Sequence, residues 1–281
     1  MKTDVENRYI WYKGNIVNVN DAQINILAPT AQFGLNVFEG IPCYWNSEKN
    51  QLYAFRLDDH YNRLLRSARL IEINCPYTKD DLKRALIDVI KANEYDENLS
   101  VRQTLFVDGF GSWGSADPVE MFVAPIPKGR TNSEYNKKGL HCCVTSWRRI
   151  SDTTLSPRIK CGANYINSRV GQREALRNGY DTCIFLNEAG KVAEGPGSCL
   201  FIVVNNVLIT PKLTDIGTVL SGKTISMRAK SGICAFGRRK RNGRRRFPRP
   251  PHACCCRRVR PMKFTIRARV SRWGTGFTTR V

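Results

Sequence analysis

The sequence predicts a mixed α/β protein of the α+β type, built as two domains and followed by a basic tail of different character. Three observations carry this. Short runs rich in β-branched and aromatic residues alternate with stretches whose apolar residues recur at helical spacing. A polar segment from Pro125 to Asn136, carrying Pro, Gly and Ser, separates two such halves and reads as a linker. From Ser231 to Val281 there are 16 Lys and Arg and not one Asp or Glu. The expected layout is a small N-terminal α/β domain over 1–128, a larger but incomplete domain over 137–230, and the tail over 231–281.

The elements follow in order. Tyr9-Ile10-Trp11-Tyr12 and Gly14-Asn15-Ile16-Val17 read as strands around a Lys13-Gly14 turn. Phe33 to Ile41, punctuated by Gly34 and Gly40, reads as a loop that runs into a strand at Cys43-Tyr44-Trp45. The polar turn formers Asn46 to Asn50 join it to Leu52-Tyr53-Ala54-Phe55. Asp58 to Ile71 is a helix, with acids in its first turn and Tyr61, Leu64, Leu65, Ala68 and Ile71 on one face. Thr78 caps a second helix, whose apolar face is Leu82, Ala85, Leu86, Val89 and Ile90. Ser100–Val107 and Glu120–Ala124 are strands. In the second half, strands are expected at Leu140–Trp147, Thr182–Leu186, Leu200–Val204 and Val207–Thr210. A helix over Asn167–Asn178 is stopped by Gly179. Gly217 to Thr224 reads as a loop ending in a helix start.

The net charge of +21 belongs mostly to the tail. Before Ser231 the chain holds 29 basic and 24 acidic residues, a net of +5. No field of one sign surrounds the rest of the protein. Of the 11 cysteines, four lie in the tail, and the other seven are scattered through mainly apolar segments, which predicts reduced thiols packed as small core residues. The N-terminus is charged and has no apolar run behind it. No stretch approaches the roughly 20 apolar residues of a membrane span. A cytoplasmic protein without a membrane partner is expected.

Two stretches point to chemistry. One is Arg158-Ile159-Lys160-Cys161-Gly162-Ala163-Asn164-Tyr165, a lysine followed by small residues with a tyrosine five positions on. The other is Val192-Ala193-Glu194-Gly195-Pro196-Gly197-Ser198. A desolvated lysine amine can form a Schiff base. Pyridoxal phosphate also needs a carboxylate opposite its ring nitrogen and a cradle for its phosphate. Glu194 is a candidate for the first. Arg56 and the amides near Gly222 are candidates for the second. Singly, each also has a plain reading, as a solvated lysine or a turn glutamate.

Taken together and in order, these segments resemble the class IV (fold-type IV) pyridoxal-phosphate aminotransferases, most closely the branched-chain amino acid aminotransferases. The matching segments are Phe33-Gly34-Leu35-Asn36-Val37-Phe38-Glu39-Gly40-Ile41, Phe55-Arg56 with His60 and Arg63-Leu64 downstream, Lys160 to Tyr165, Glu194-Gly195-Pro196-Gly197 with Leu200-Phe201, and Leu220-Ser221-Gly222. They span about Tyr9 to about Thr224. The resemblance implies that Lys160 carries the cofactor and shuttles the proton at the amino acid's α-carbon. It implies that Tyr165 bonds the ring hydroxyl, Glu194 pairs with the ring nitrogen, and Arg56 holds the phosphate with help from Gly222 and the amides of Lys223 and Thr224. Phe38 and Gly40 would line the substrate pocket, and Arg102 would lie near the substrate carboxylate, although a surface arginine on a strand would look the same. No metal is implied. The implied reaction is amino transfer from a branched-chain amino acid to 2-oxoglutarate, in a homodimer or larger homo-oligomer. D-amino-acid transamination and aminodeoxychorismate lyase chemistry belong to the same fold.

The chain departs from the pattern in two places. Phe33, Pro42 and Ser100 stand where the branched-chain enzymes usually carry Tyr, Arg and Tyr, all on the side that reads the substrate. The tail, with Gly237-Arg238-Arg239-Lys240-Arg241, Arg244-Arg245-Arg246 and Cys254-Cys255-Cys256, has no helical or strand period. Such a run reads as disordered or as out-of-frame translation. A nucleic-acid-binding extension is a second reading, not the one expected. A metal site at Cys254–Cys256 with His252 is a third, and it lacks the usual Cys-x-x-Cys spacing.

Overall fold

The structure is a computed structural model and describes residues 7–127, 139–204, 207–212 and 278–280. In chain order its elements are β1 (Tyr9–Tyr12), β2 (Asn15–Asn18), α1 (Pro29–Phe33), β3 (Asn36–Asn46), β4 (Gln51–Phe55), α2 (Leu57–Leu70), α3 (Lys79–Asn93), β5 (Leu99–Val107), β6 (Val119–Pro127), β7 (Cys142–Arg148), α4 (Asn164–Arg177), β8 (Thr182–Leu186), β9 (Ile202–Val204), β10 (Val207–Ile209) and β11 (Thr278–Arg280). The composition of the elements is mixed α/β, as the sequence predicts.

Seven strands form one antiparallel sheet in the order β11-β4-β3-β5-β6-β1-β2. The β1–β2 turn is made by Lys13 and Gly14, both at positive φ, which suits the twist of a two-residue hairpin. Strand periodicity gives this sheet two different faces. Val37, Ile41 and Cys43 of β3, Leu52 and Ala54 of β4, and Val101 and Leu105 of β5 point one way and are buried. They pack with Leu57, Tyr61 and Leu64 of α2 and Leu82, Leu86 and Val89 of α3 in the main core. Thr78 starts α3 with a complete capping box, its side chain bonded to Asp81 and Asp81 bonded back. The alternate residues of β3, namely Phe38, Gly40, Pro42 and Tyr44, face the other way and line a cavity.

The second set of elements is smaller. β7 and β8 pair in parallel, with α4 between them in the chain and packed on both. Their core is Ala175, Cys183, Phe185 and Ala193. Gly171 sits within α4 because a Cβ there would lie 2.3 Å from the Phe185 ring. β9 and β10 form an antiparallel pair. The seven described cysteines are reduced, and burial pushes the thiols of Cys43 and Cys183 up to about 12.

Four expectations are corrected. The segment read as a loop before Cys43 is a short helix, α1, followed by one continuous strand of 11 residues. Gly40 and Pro42 lower its strand propensity, but β5 pairs with it from Asn36 to Cys43 and the pairing overrides propensity. Pro42 is tolerated because β4 pairs only from Cys43 onward. Pro125 to Pro127, expected in the linker, belong to β6. α4 begins three residues before the expected Asn167. Within the tail, Thr278–Arg280 form a strand on the β4 edge. The remaining tail readings, those at Arg238 to Arg246 and at Cys254–Cys256 with His252, lie outside the described residues. Among the described residues no helix is long and apolar enough to cross a membrane, and no group of His, Cys, Asp or Glu is arranged to hold a metal ion.

Candidate active site

Lys160 stands in the loop before α4, and its backbone is fixed from three sides. Its carbonyl accepts a hydrogen bond from the Phe38 amide at 2.9 Å, and its amide donates to Ser67 Oγ at 3.2 Å. Next to it, Cys161 bridges Val37 of β3. The Gly162 amide then donates to Asn36 Oδ1 at 3.2 Å. A Cβ on Gly162 would lie 2.7 Å from that oxygen, so only glycine permits the approach. Asn164, itself buried, donates to the carbonyls of Ile159 and Ser156 at 2.6 and 3.1 Å. The lysine is thus tied to β3, to α2 and to the first turn of α4.

The side chains then converge. Lys160 Nζ lies 2.9 Å from the Tyr165 hydroxyl and 4.8 Å from the centre of the Phe38 ring. The Phe38 and Tyr165 rings are 5.1 Å apart. Gly40 and Arg102 are direct partners across β3 and β5, and the Arg102 guanidinium lies 4.0 Å from the Phe38 ring centre, a diagonal cross-strand contact. Burial pushes the Arg102 pKa down, while Tyr165 and Glu39 pull it back, and the group remains a cation at neutral pH.

Glu194 arrives from another direction. β8 returns through the Asn187–Gly190 turn, and Glu194 accepts the Phe185 amide through its carbonyl at 2.8 Å. Its carboxylate is 6% exposed as a residue and accepts Arg149 Nε at 2.5 Å. All of these groups line one cavity of about 430 Å³.

Of the residues named from the sequence, Phe38, Gly40, Arg102, Lys160, Tyr165 and Glu194 line this one cavity. Arg56 is not among the lining residues. It begins α2 in a left-handed conformation, beside the lining residue Phe55, and its Nε bonds Asp59 at 2.7 Å. Gly222, Lys223 and Thr224 lie outside the described residues.

Two features escape sequence reasoning. Arg149 follows Arg148 just past β7 and has no spacing signal that separates it from a surface arginine. The other is a buried charge cluster on the cavity wall, where Glu39, wholly buried, accepts from Arg63 Nε and Nη2 at 2.5 and 2.6 Å and lies 2.7 Å from His60 Nδ1. Burial alone would raise Glu39, but the bonds from Arg63 and then His60 hold it below the usual carboxylate value. A glutamate inside an apolar strand is itself the signal that a buried partner exists.

The donor set suits a pyridine ring that carries an aldehyde. An amine and a phenol five residues apart and a carboxylate from the loop after β8 line one space, together with the cations Arg63, Arg102 and Arg149.

Comparison with known proteins agrees. The family described as amino-transferase class IV matches residues 36–232. The chain is 32% identical over 203 residues to the "Probable branched-chain-amino-acid aminotransferase" of Aquifex aeolicus, covering 72% of this chain and 65% of that protein. It is 34% identical over 212 residues to the branched-chain-amino-acid aminotransferase of Escherichia coli strain K12, covering 74% and 67%. The chain thus spans about two thirds of the length of these relatives. Among solved structures, the branched-chain aminotransferase of Thermoproteus uzoniensis with norvaline superposes with a TM-score of 0.72 at 37% identity, covering 80% of this chain and 76% of that one. The holo, PLP-form enzyme of Thermobaculum terrenum gives 0.73 at 35% identity, covering 81% and 75%.

Proposed function

Because the chain belongs to the class IV aminotransferases, we propose that it holds pyridoxal 5'-phosphate in this cavity and moves the amino group of a branched-chain amino acid, reversibly, to 2-oxoglutarate. The observation that carries the reading is the meeting of the Lys160 amine, the Tyr165 hydroxyl and the Glu194 carboxylate at one cavity inside this fold. When bound, the cofactor supplies the carbonyl for amine exchange and an electron sink for the charge left at the substrate's α-carbon.

The chain's own residues do the rest. Lys160 Nζ takes and returns the α-proton, and its reach is set by the Ser67 and Phe38 bonds to its backbone. Tyr165 holds the amine from one side and offers its hydroxyl to the ring. Glu194 would accept from the ring nitrogen. Arg102 offers a cation to the substrate carboxylate while its own stem and Phe38 keep that corner apolar. Phe38 and Gly40 form the wall against which an aliphatic side chain rests. Arg56 is assigned to the phosphate, with Gly222, Lys223 and Thr224 completing the cradle.

The same proposal includes two domains, 1–128 and 137–230, because the large sheet draws all but β11 from the first range and the β7–α4–β8 unit comes from the second. It includes a cytoplasmic homodimer or larger assembly. Exposed Ile26, Leu27, Phe110 and Trp113 are apolar surface that such an assembly would cover, and the loops that carry them are neighbours, since a Cβ on Gly111 would lie 3.2 Å from Pro29.

The test is the visible spectrum of the purified chain with added pyridoxal phosphate, beside Lys160→Ala. A band that requires Lys160 and bleaches with L-leucine is the expected result. A Lys160-dependent band that ignores L-leucine and responds to D-alanine would move the substrate class, and no band in folded protein would overturn the reading.

A further inference from the structure

We propose that Arg149 is the positioning residue that aims Glu194 at the cofactor's ring nitrogen and so sets how firmly that nitrogen is held, an inference that rests on the function proposed above. Arg149 is anchored before it reaches the carboxylate. Its amide donates to the Leu186 carbonyl at 2.8 Å, which ties it to the end of β8. Its Nη1 donates to Asn167 Oδ1 at 3.0 Å, and Asn167 Nδ2 donates back to the Arg148 carbonyl at 2.9 Å. The remaining contact is Nε to Glu194 Oε1 at 2.5 Å. Both side chains are nearly closed off from solvent, at 10% exposure for Arg149 and 8% for Glu194, and both line the cavity.

This arrangement divides the two carboxylate oxygens. Oε1 is committed to the guanidinium. Oε2 receives no hydrogen bond from any described residue and is left for the cavity. A guanidinium held at both ends fixes the plane of the carboxylate as well as its charge, which a freely rotating ammonium would not do. Two effects of Arg149 oppose each other. Its charge behind Glu194 weakens the pull of the carboxylate on a ring cation. Its geometry decides whether Oε2 meets the ring nitrogen at all. Geometry dominates, because without Arg149 a nearly buried Oε1 loses its donor and the carboxylate must turn to find another. Groups behind a binding residue commonly carry weight of this kind.

The experiment compares pyridoxal phosphate with its 1-deaza analogue, in which a C–H replaces the ring nitrogen. Affinity for each is measured by spectral titration of the full chain, for the wild type, Arg149→Met and Arg149→Lys. The expected result is a loss of about tenfold in pyridoxal phosphate affinity for R149M, about 1.4 kcal/mol, with little change for the analogue. R149K, which keeps the cation without the fork, recovers part of that loss. Equal weakening of both ligands by R149M would mean that Arg149 only supports the fold, and no weakening of either would mean that Glu194 aims itself; both overturn the proposal. Where R149M fails to fold, R149K decides alone, since a loss confined to the nitrogen-bearing ligand supports the proposal and an equal or absent loss refutes it. A wild-type chain that binds neither ligand removes the functional reading and the inference with it. A wild type that binds both removes neither, so the two failures are distinct.

Discussion

Glu39 is wholly buried, and two neighbours decide whether that costs stability. Arg63 gives it two hydrogen bonds and His60 a third contact, all on the face of α2 that also carries Ser67, which holds Lys160. Replacing one partner of such a cluster leaves a buried charge without its counterpart, at a cost of about 3 kcal/mol. Glu39→Gln should therefore lower stability at pH 7 by about that amount in chemical denaturation. The sign of the pH dependence follows from the direction of the shift. The folded carboxyl is held below its ordinary value. Its contribution is complete above the unfolded value of about 4.3 and drains away as pH falls through the folded one. The gap between wild type and E39Q should narrow as the pH is taken from 5 toward 3. A gap that stayed constant across that range would mean that Glu39 keeps its proton state and contributes through shape alone. The same substitution should also disturb cofactor binding, because the stripe His60, Arg63, Ser67 ends at the Lys160 backbone.

At the scale of elements, α4 and β8 show how packing reverses a propensity rule. Alanine is worth up to about 1 kcal/mol over glycine inside a helix. At Gly171 the new methyl would sit 2.3 Å from the Phe185 ring, in a small core with little slack. Overpacking of this kind costs about 1–3 kcal/mol, so Gly171→Ala should lower the melting temperature rather than raise it. A raised melting temperature would mean that the Phe185 ring moves freely. Elements were legible in the sequence to different degrees for physical reasons of this sort. α2 and α3 follow from a strong 3.6-residue period and, for α3, from Thr78 as a cap. Only the end of β3 at Cys43–Trp45 was legible; its part from Asn36 to Pro42 was hidden, because Gly40 and Pro42 spoil the local preference and only pairing with β5 makes it a strand. The cavity was half legible. Lys160, Tyr165 and Glu194 stand in segments with a pattern, and the period of β3 puts Phe38 and Gly40 on one face once the strand is granted. Arg149 was not legible, because its contact with Glu194 joins residues 45 apart through two elements.

For the whole molecule, most of the net positive charge is concentrated in the last part of the chain. Up to Lys230 the chain carries a net of +5, while the last 51 residues add 16 positive charges and no negative ones. A polyanion responds to that density by releasing counterions, whatever its sequence. The full chain should therefore retard a generic single-stranded oligonucleotide at low salt, with an affinity that falls linearly on a logarithmic salt scale. Each arginine that contacts a phosphate contributes about 0.7 to that slope for single strands. Replacing Arg244, Arg245 and Arg246 with glutamine in the full chain should lower the slope by about 2. It should leave the Lys160-dependent band with pyridoxal phosphate unchanged, because none of the described residues lining the cavity comes from the tail. An unchanged slope would place the polyanion contacts elsewhere on the chain. A lost band would mean that the tail arginines act on the proposed cofactor site, for which Arg56 is the one described residue assigned to the phosphate, and its side chain is bonded to Asp59. The pair of measurements thus assigns the basic tail either to indifferent attraction of anions or to the cofactor site itself.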